Sequence, residues 1–121
     1  MPEVHHIALR VRDCALSARF YEQAFGLRET RRIESGDRTR AVWLLAGDVV
    51  LMLEFALRGE GPVEGSGHAL IFTTPDLAGA EERFRSLGIA VTDRTPYTLY
   101  VSDPDGHRVG ASTFRFDPSP A

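Results

Sequence analysis

The chain of 121 residues contains no lysine; all fourteen of its basic residues are arginine. Arginine's planar fork suits carboxylate and phosphate partners, although a codon bias leaves the same mark. The formal net charge is −3, so the electrostatic footprint of a nucleic-acid binder is missing. Cysteine occurs once, at Cys14, which excludes an internal disulfide and any CxxC metal or redox motif. Cys14 stands at an expected helix start, where it is either a small packing residue or a stabilised thiolate. No apolar run approaches the ~20 residues of a membrane span. MPEVHHIALR lacks a basic segment followed by an apolar one, so a cytoplasmic protein is expected.

What is present is repetition. Residues 6–27 read HIALRVRDCALSARFYEQAFGL and residues 68–89 read HALIFTTPDLAGAEERFRSLGI. His6 and His68 stand 62 positions apart, as do Gly26 and Gly88. Each half opens with a His and a short apolar run, then an Asp, a helix, and a Gly before an apolar residue. In the first half Ile7, Leu9 and Val11 alternate with His6, Ala8 and Arg10, a strand pattern. Asp13 suits a helix N-cap. Leu16, Phe20 and Ala24 recur every fourth residue as a buried stripe with Phe25 beside it, and Gly26 ends the helix. In the second half Thr74-Pro75-Asp76 starts a helix whose stripe is Leu77, Ala80, Phe84 and Leu87, stopped at Gly88.

Three strands are expected after each helix, at about 27–34, 39–46 and 48–57, then at about 90–95, 97–102 and 107–115. Gly and Asp clusters punctuate them. The pattern predicts a single α+β domain over 1–121, built of two βαβββ repeats at about 4–57 and 68–115. The stretch RGEGPVEGSG, 58–67, links them. A lone βαβββ unit leaves one sheet face uncovered, which a second unit covers or turns into a cavity wall.

HIALRV with the following D, S, FY and GL, and the ending LYVSDPDGHRV, resemble the vicinal oxygen chelate superfamily. That group includes glyoxalases, bleomycin-resistance proteins and extradiol dioxygenases. The resemblance spans about 4–115 and implies curved mixed sheets around a cavity, usually in a homodimer with a small-molecule ligand. In metal-dependent relatives, strand His and Glu side chains hold a divalent ion (Zn, Ni, Fe or Mn) that acts as a Lewis acid on vicinal substrate oxygens. Carried onto this chain, the resemblance makes His6 and His68 the imidazole ligands, with Glu54 as the available carboxylate. Both histidines read equally well as strand-starting residues satisfied by backbone or water.

The third ligand is normally a Glu near the end of the last strand. Here DPDGHRVGA places Gly110 there, a vacancy in the expected site. Leu99-Tyr100 and the Asp103-Pro104-Asp105-Gly106 turn fit the extradiol signature, but its upstream His and terminal Glu are missing, which argues against ring cleavage. Tyr100 reads either as a pocket hydroxyl or as a sheet-packing ring. Arg40 reads as a carboxylate partner or a solvated charge. Trp43, Phe55 and Phe72 offer aromatic surface for a planar ligand or for the core. Ser112 shares a face with Gly110.

Three functions follow from the resemblance. One is a metal-dependent lyase or isomerase of the glyoxalase type, using His6, His68 and Glu54. Another is a metal-free binder of a small molecule or antibiotic. The third is a metal-free catalyst with His6 or His68 as general base.

Overall fold

The computed structural model describes residues 2–58 and 67–116; most of the expected linker and the last five residues lie outside them. Strand β1 (His6–Arg10) leads through α1 (Cys14–Phe25) to β2 (Arg28–Ser35), β3 (Arg38–Ala46) and β4 (Val49–Glu54). The path then repeats as β5 (Ala69–Thr73), α2 (Leu77–Ser86), β6 (Asp93–Arg94), β7 (Thr98–Ser102) and β8 (Arg108–Ser112). Each half forms its own four-stranded sheet, in the order β1-β4-β3-β2 (sheet A) and β5-β8-β7-β6 (sheet B). The first and last strands of each half run parallel and the other pairs are antiparallel. This is the α+β architecture of two βαβββ units.

Local chemistry sets the helix ends. Asp13 caps α1 by accepting from the Leu16 N–H, and Asp76 caps α2 by accepting from Ala78 and Gly79, each cap contributing about 1 kcal/mol. Gly26 closes α1 at φ 72°, a left-handed conformation in which a β-carbon is strained. The two caps stand 63 positions apart, not 62, and Gly26 and Gly88 return to 62 because α2 is the shorter helix. Strand parity follows the caps: Ala8 pairs with Met52 as Ile71 pairs with Gly110. His68 therefore corresponds to His5, and His6 corresponds to Ala69. The offset of 62 fails at the strands.

Helix α1 lies on sheet A and α2 on sheet B. Val42, Leu44, Leu51 and Leu53 meet Val11, Cys14, Ala18 and Tyr21 under α1, and Leu99, Val101, Val109 and Ala111 meet Phe84 of α2. Phe25 joins the two halves, 4.6 Å from the Phe72 ring centroid and 5.6 Å from that of Phe84.

The expected stripe of α1 is rotated. Leu16 is 47% exposed, while Ser17 and Tyr21 are fully buried. Ser17, Ala18, Tyr21 and Ala24 form the inward line, since spacings of three and four share a helical face. Three expected strands are shorter than anticipated: β6 has two residues, β4 stops at Glu54 and β8 at Ser112. Past β8, the Thr113 N–H turns to the Tyr97 carbonyl instead of continuing the ladder.

Candidate functional site

Each helix covers one face of its sheet, and alternation sends every second side chain to the open face. On sheet A that face carries His6, Ala8 and Arg10 from β1, Val50, Met52 and Glu54 from β4, and Ala41, Trp43 and Leu45 from β3. On sheet B it carries Ile71 and Thr73, then Thr98 and Tyr100, then Gly110 and Ser112.

The expected metal ligands do not converge within the chain. His6 is opposite Val50, and Glu54 is opposite Arg10, four rungs along β1. At about 3.3 Å per residue this puts their backbones ~13 Å apart, too far for one ion to bridge. His68 precedes β5 in the other sheet. His6 shares a 2.8 Å hydrogen bond between ring Nδ1 atoms with its neighbour His5, and both are exposed. Among the described residues no three His, Cys, Asp or Glu side chains stand close enough to hold an ion.

Gly110 proves to be more than a missing side chain. A β-carbon there would collide with the Leu99 carbonyl oxygen and lie 3.2 Å from Ile71 Cδ1. Glycine allows the backbones of β7 and β8 to approach this closely. The space a carboxylate would need is taken by a carbonyl and an isoleucine, so the donor set does not fit a resident divalent ion.

The other expected site residues separate. Tyr100 and Ser112 border a cavity of about 380 Å³ on the open face of sheet B, together with Ile71, Tyr97, Phe114 and Phe116. Phe72 touches that cavity but packs mainly in the aromatic cluster, 6.2 Å from Tyr21. Trp43 is on sheet A beneath the Arg31 guanidinium, 5.2 Å from the ring centre, and its buried Nε1–H has no partner among the described residues. Phe55 is 40% exposed under Arg38. Arg40 is exposed, beside Ile33, Ala41 and Glu54. The expected aromatic surface is thus divided among three places.

A larger hollow, about 540 Å³, lies between the halves, where Thr73 is the one polar side chain among mainly aliphatic and aromatic ones and backbone groups supply the remaining polar surface. Ligand pockets combine apolar walls with a few convergent polar groups that fix orientation. The sheet B cavity has both: Tyr97, Tyr100, Phe114 and Phe116 as walls, and Thr95, Thr98 and Ser112 among them. Thr98 Oγ1 donates to Ser112 Oγ at 2.8 Å, and Ser112 donates to the Tyr97 carbonyl at 3.2 Å. The Thr95 hydroxyl accepts from the N–H groups of Tyr97 and Thr98. These bonds brace the segment that carries Tyr97.

The residue pattern gave no sign of Tyr97, Phe114 or Phe116 as a group: Tyr97 and Phe114 were expected within strands, whereas all three lie outside β7 and β8. Their rings form a T-shaped ladder, with centroids 5.4 Å and 5.0 Å apart. A Tyr two residues after an Arg-Thr turn and two Phe after the last strand were the only available signal.

The DPDG turn has a role that its sequence disguised. Asp103 and Asp105 are buried, and both reach α1 of the other half. Tyr21 donates to Asp103 Oδ2 at 2.7 Å, while Asp103 Oδ1 accepts from the N–H groups of Asp105 and His107. Asp105 accepts from the Arg12 N–H and the Ser17 hydroxyl. His107 is half-buried and donates from Nε2 to the Arg10 carbonyl at 2.8 Å. Burial, reinforced by the Asp103 charge, pushes the Tyr21 phenol far above its ordinary value. Burial likewise raises the Cys14 thiol, which donates to the Arg40 and Leu53 carbonyls. Cys14 is an inert packing residue in this setting.

Comparison with known proteins places this geometry. Residues 3–110 match the family model of the Glyoxalase/Bleomycin resistance protein/Dioxygenase superfamily. A lactoylglutathione lyase of Pseudomonas aeruginosa is 29% identical, over 87% of this chain and 78% of its own length. The fosfomycin resistance protein FosX from Mesorhizobium loti superimposes with a TM-score of 0.77 at 25% identity, covering 96% of this chain and 94% of that one. TnmS3, an antibiotic binding protein from a Streptomyces species, has the same fold at a TM-score of 0.71 and 20% identity, covering 93% and 95%. No helix among the described residues is long and apolar enough to cross a membrane.

Proposed function

Since this chain belongs to the Glyoxalase/Bleomycin resistance protein/Dioxygenase superfamily, we propose that it binds a small organic molecule in the sheet B cavity without a resident metal. Gly110 is the observation that carries this reading. At the place where relatives supply a carboxylate, the β-carbon itself is excluded by the Leu99 carbonyl. Catalytic sites for ions such as Zn²⁺ draw about three protein ligands, and two imidazoles alone leave the ion under-coordinated and its charge uncompensated. The cavity instead presents aromatic walls and hydroxyl groups, the make-up of a binding site.

The proposal extends to a cytoplasmic homodimer. Strands β1 and β5 are both sheet edges with unpaired backbone groups, and Val4 and Ile71 beside them are exposed. Such edges are commonly covered by another chain.

A second reading, a glyoxalase-type lyase or isomerase, draws support from the 29% identity to a lactoylglutathione lyase. It would use His6 or His68 as base or ligand, with Tyr100 donating a hydrogen bond.

Metal analysis separates the two. Untagged protein is loaded with Zn²⁺ or Ni²⁺, passed through a desalting column and assayed for metal per chain. Binding without metal chemistry predicts far less than one ion per chain and an unchanged melting temperature in EDTA. A stoichiometric ion lost in both His6→Ala and His68→Ala would establish the lyase reading instead.

A further inference from the structure

The walls of the sheet B cavity define a narrower ligand class than its family does. We infer that the ligand is a flat, uncharged aromatic molecule carrying an edge oxygen, held between the Tyr97–Phe114 pair and Tyr100. The inference rests on the binding reading above.

The first argument is shape. Tyr97 and Phe114 meet edge to face, with centroids 5.4 Å apart, and Phe116 continues the ladder at 5.0 Å. These rings are 52%, 47% and 85% exposed, so they stand around open space and not inside a packed core. An aromatic guest stacks on such rings or meets them edge-on, gaining more than its buried area alone provides. At about 380 Å³ the cavity is near the small end of ligand pockets, which run from roughly 300 to 1,000 Å³.

Charge is the second argument. None of the ten lining residues is ionisable apart from the two tyrosines. A charged guest would lose hydration and gain no counter-charge, an unfavourable exchange. Arg108, on the same open face of β8 as Gly110, has its guanidinium 3.9 Å from the Tyr100 ring centre and is paired with Asp93 at 3.1 Å.

The third argument is hydrogen bonding. The hydroxyls of Thr95, Thr98 and Ser112 are engaged with one another or with nearby backbone groups, and that of Thr73 has no partner among the described residues. The phenol hydroxyls of Tyr97 and Tyr100 have no partner among the described residues. Two free phenols beside apolar walls select a carbonyl or hydroxyl at the rim of an otherwise apolar ring system.

Coumarin, its 3-carboxylate and octahydrocoumarin test shape and charge separately, read by calorimetry and by amide chemical shifts of the whole protein. The expected result is coumarin binding that shifts the Ile71, Tyr100 and Ser112 amides, with both analogues weaker by about tenfold. Tyr100→Ala should weaken coumarin about three- to tenfold, and Phe55→Ala, outside the cavity, should leave it unchanged. Equal or tighter binding of the carboxylate or the saturated analogue at the same amides overturns the ligand class while leaving the cavity as a binding site. If none of the three shifts those amides at millimolar concentration, both the ligand class and the binding reading fall. The wild-type shifts decide the matter even if a variant fails to fold.

Discussion

The two halves share one chain path and differ in what they leave exposed. The open face of sheet A carries His6, Arg10 and Glu54 around Trp43, whereas that of sheet B carries Ile71 and Tyr100, framed by Tyr97 and Phe114. Their last hairpins differ as strongly. The turn between β3 and β4 is Gly47-Asp48, exposed to solvent. The turn between β7 and β8 is buried against α1 of the other half. Repetition of a fold thus preserves the ladders and releases the faces and turns for separate duties. In this molecule the second half holds both the cavity and the lock that fastens the halves together.

The largest test of that asymmetry is to cut the lock and its counterpart in turn. Asp103→Ala leaves the Tyr21 hydroxyl and the Asp105 and His107 N–H groups without their acceptor, and should cost about 3–5 kcal/mol of unfolding free energy. Asp48→Ala, in the exposed hairpin, should stay within about 0.5 kcal/mol. Equal losses in urea titrations would show that the turns are equivalent after all.

A smaller effect is expected at the paired open-face positions 110 and 52. Gly110→Ala drives a β-carbon at the Leu99 carbonyl and should cost about 1–3 kcal/mol. Met52→Glu, half-buried on the corresponding rung, should be tolerated within about 1 kcal/mol. Neither Gly110→Glu nor Gly110→Asp should gain an ion in metal analysis, since the backbone would have to move first.

The smallest effect is a pH dependence. The folded phenol of Tyr21 ionises only well above its unfolded value of about 10. Below pH 10 both states keep the proton and the contribution to stability is constant. Above it the unfolded chain releases the proton first, so stability falls as pH rises. Tyr21→Phe should flatten this alkaline decline in thermal melts, and a profile unchanged from wild type would deny the phenol its role.

Much of the fold was legible because local rules govern it. Asp13 and Asp76 cap, Gly26 and Gly88 stop, and the alternation of Ile7, Leu9 and Val11 assigns faces. What escaped depended on distant partners. Ser17 reads as polar surface until Asp105, 88 residues later, buries it, and that pairing is why Leu16 was wrongly expected to point inward. The site was less legible still. Histidine spacing suggested an offset of 62, but strands count by parity, so one residue moves His6 from partner of His68 to partner of Ala69. Gly110 stood out as a glycine within a strand, although the carbonyl that forbids any side chain there belongs to the neighbouring strand. Phe55 and Trp43 drew attention as aromatic residues, yet the rings at the cavity include ones outside any periodic pattern.

The docked DPDG turn also bears on synthesis. A ribosome delivers α1 about eighty residues before Asp103 and Asp105, the carboxylates that accept from Tyr21 and Ser17. Sheet A can close once Glu54 has emerged, since β1 pairs with β4. Its helix nevertheless keeps two hydroxyl groups without their final acceptors until the last hairpin of the second half has been made. A nascent chain stalled in the second half would therefore present an unfinished first half, and α1 would be fastened only when the DPDG turn follows it.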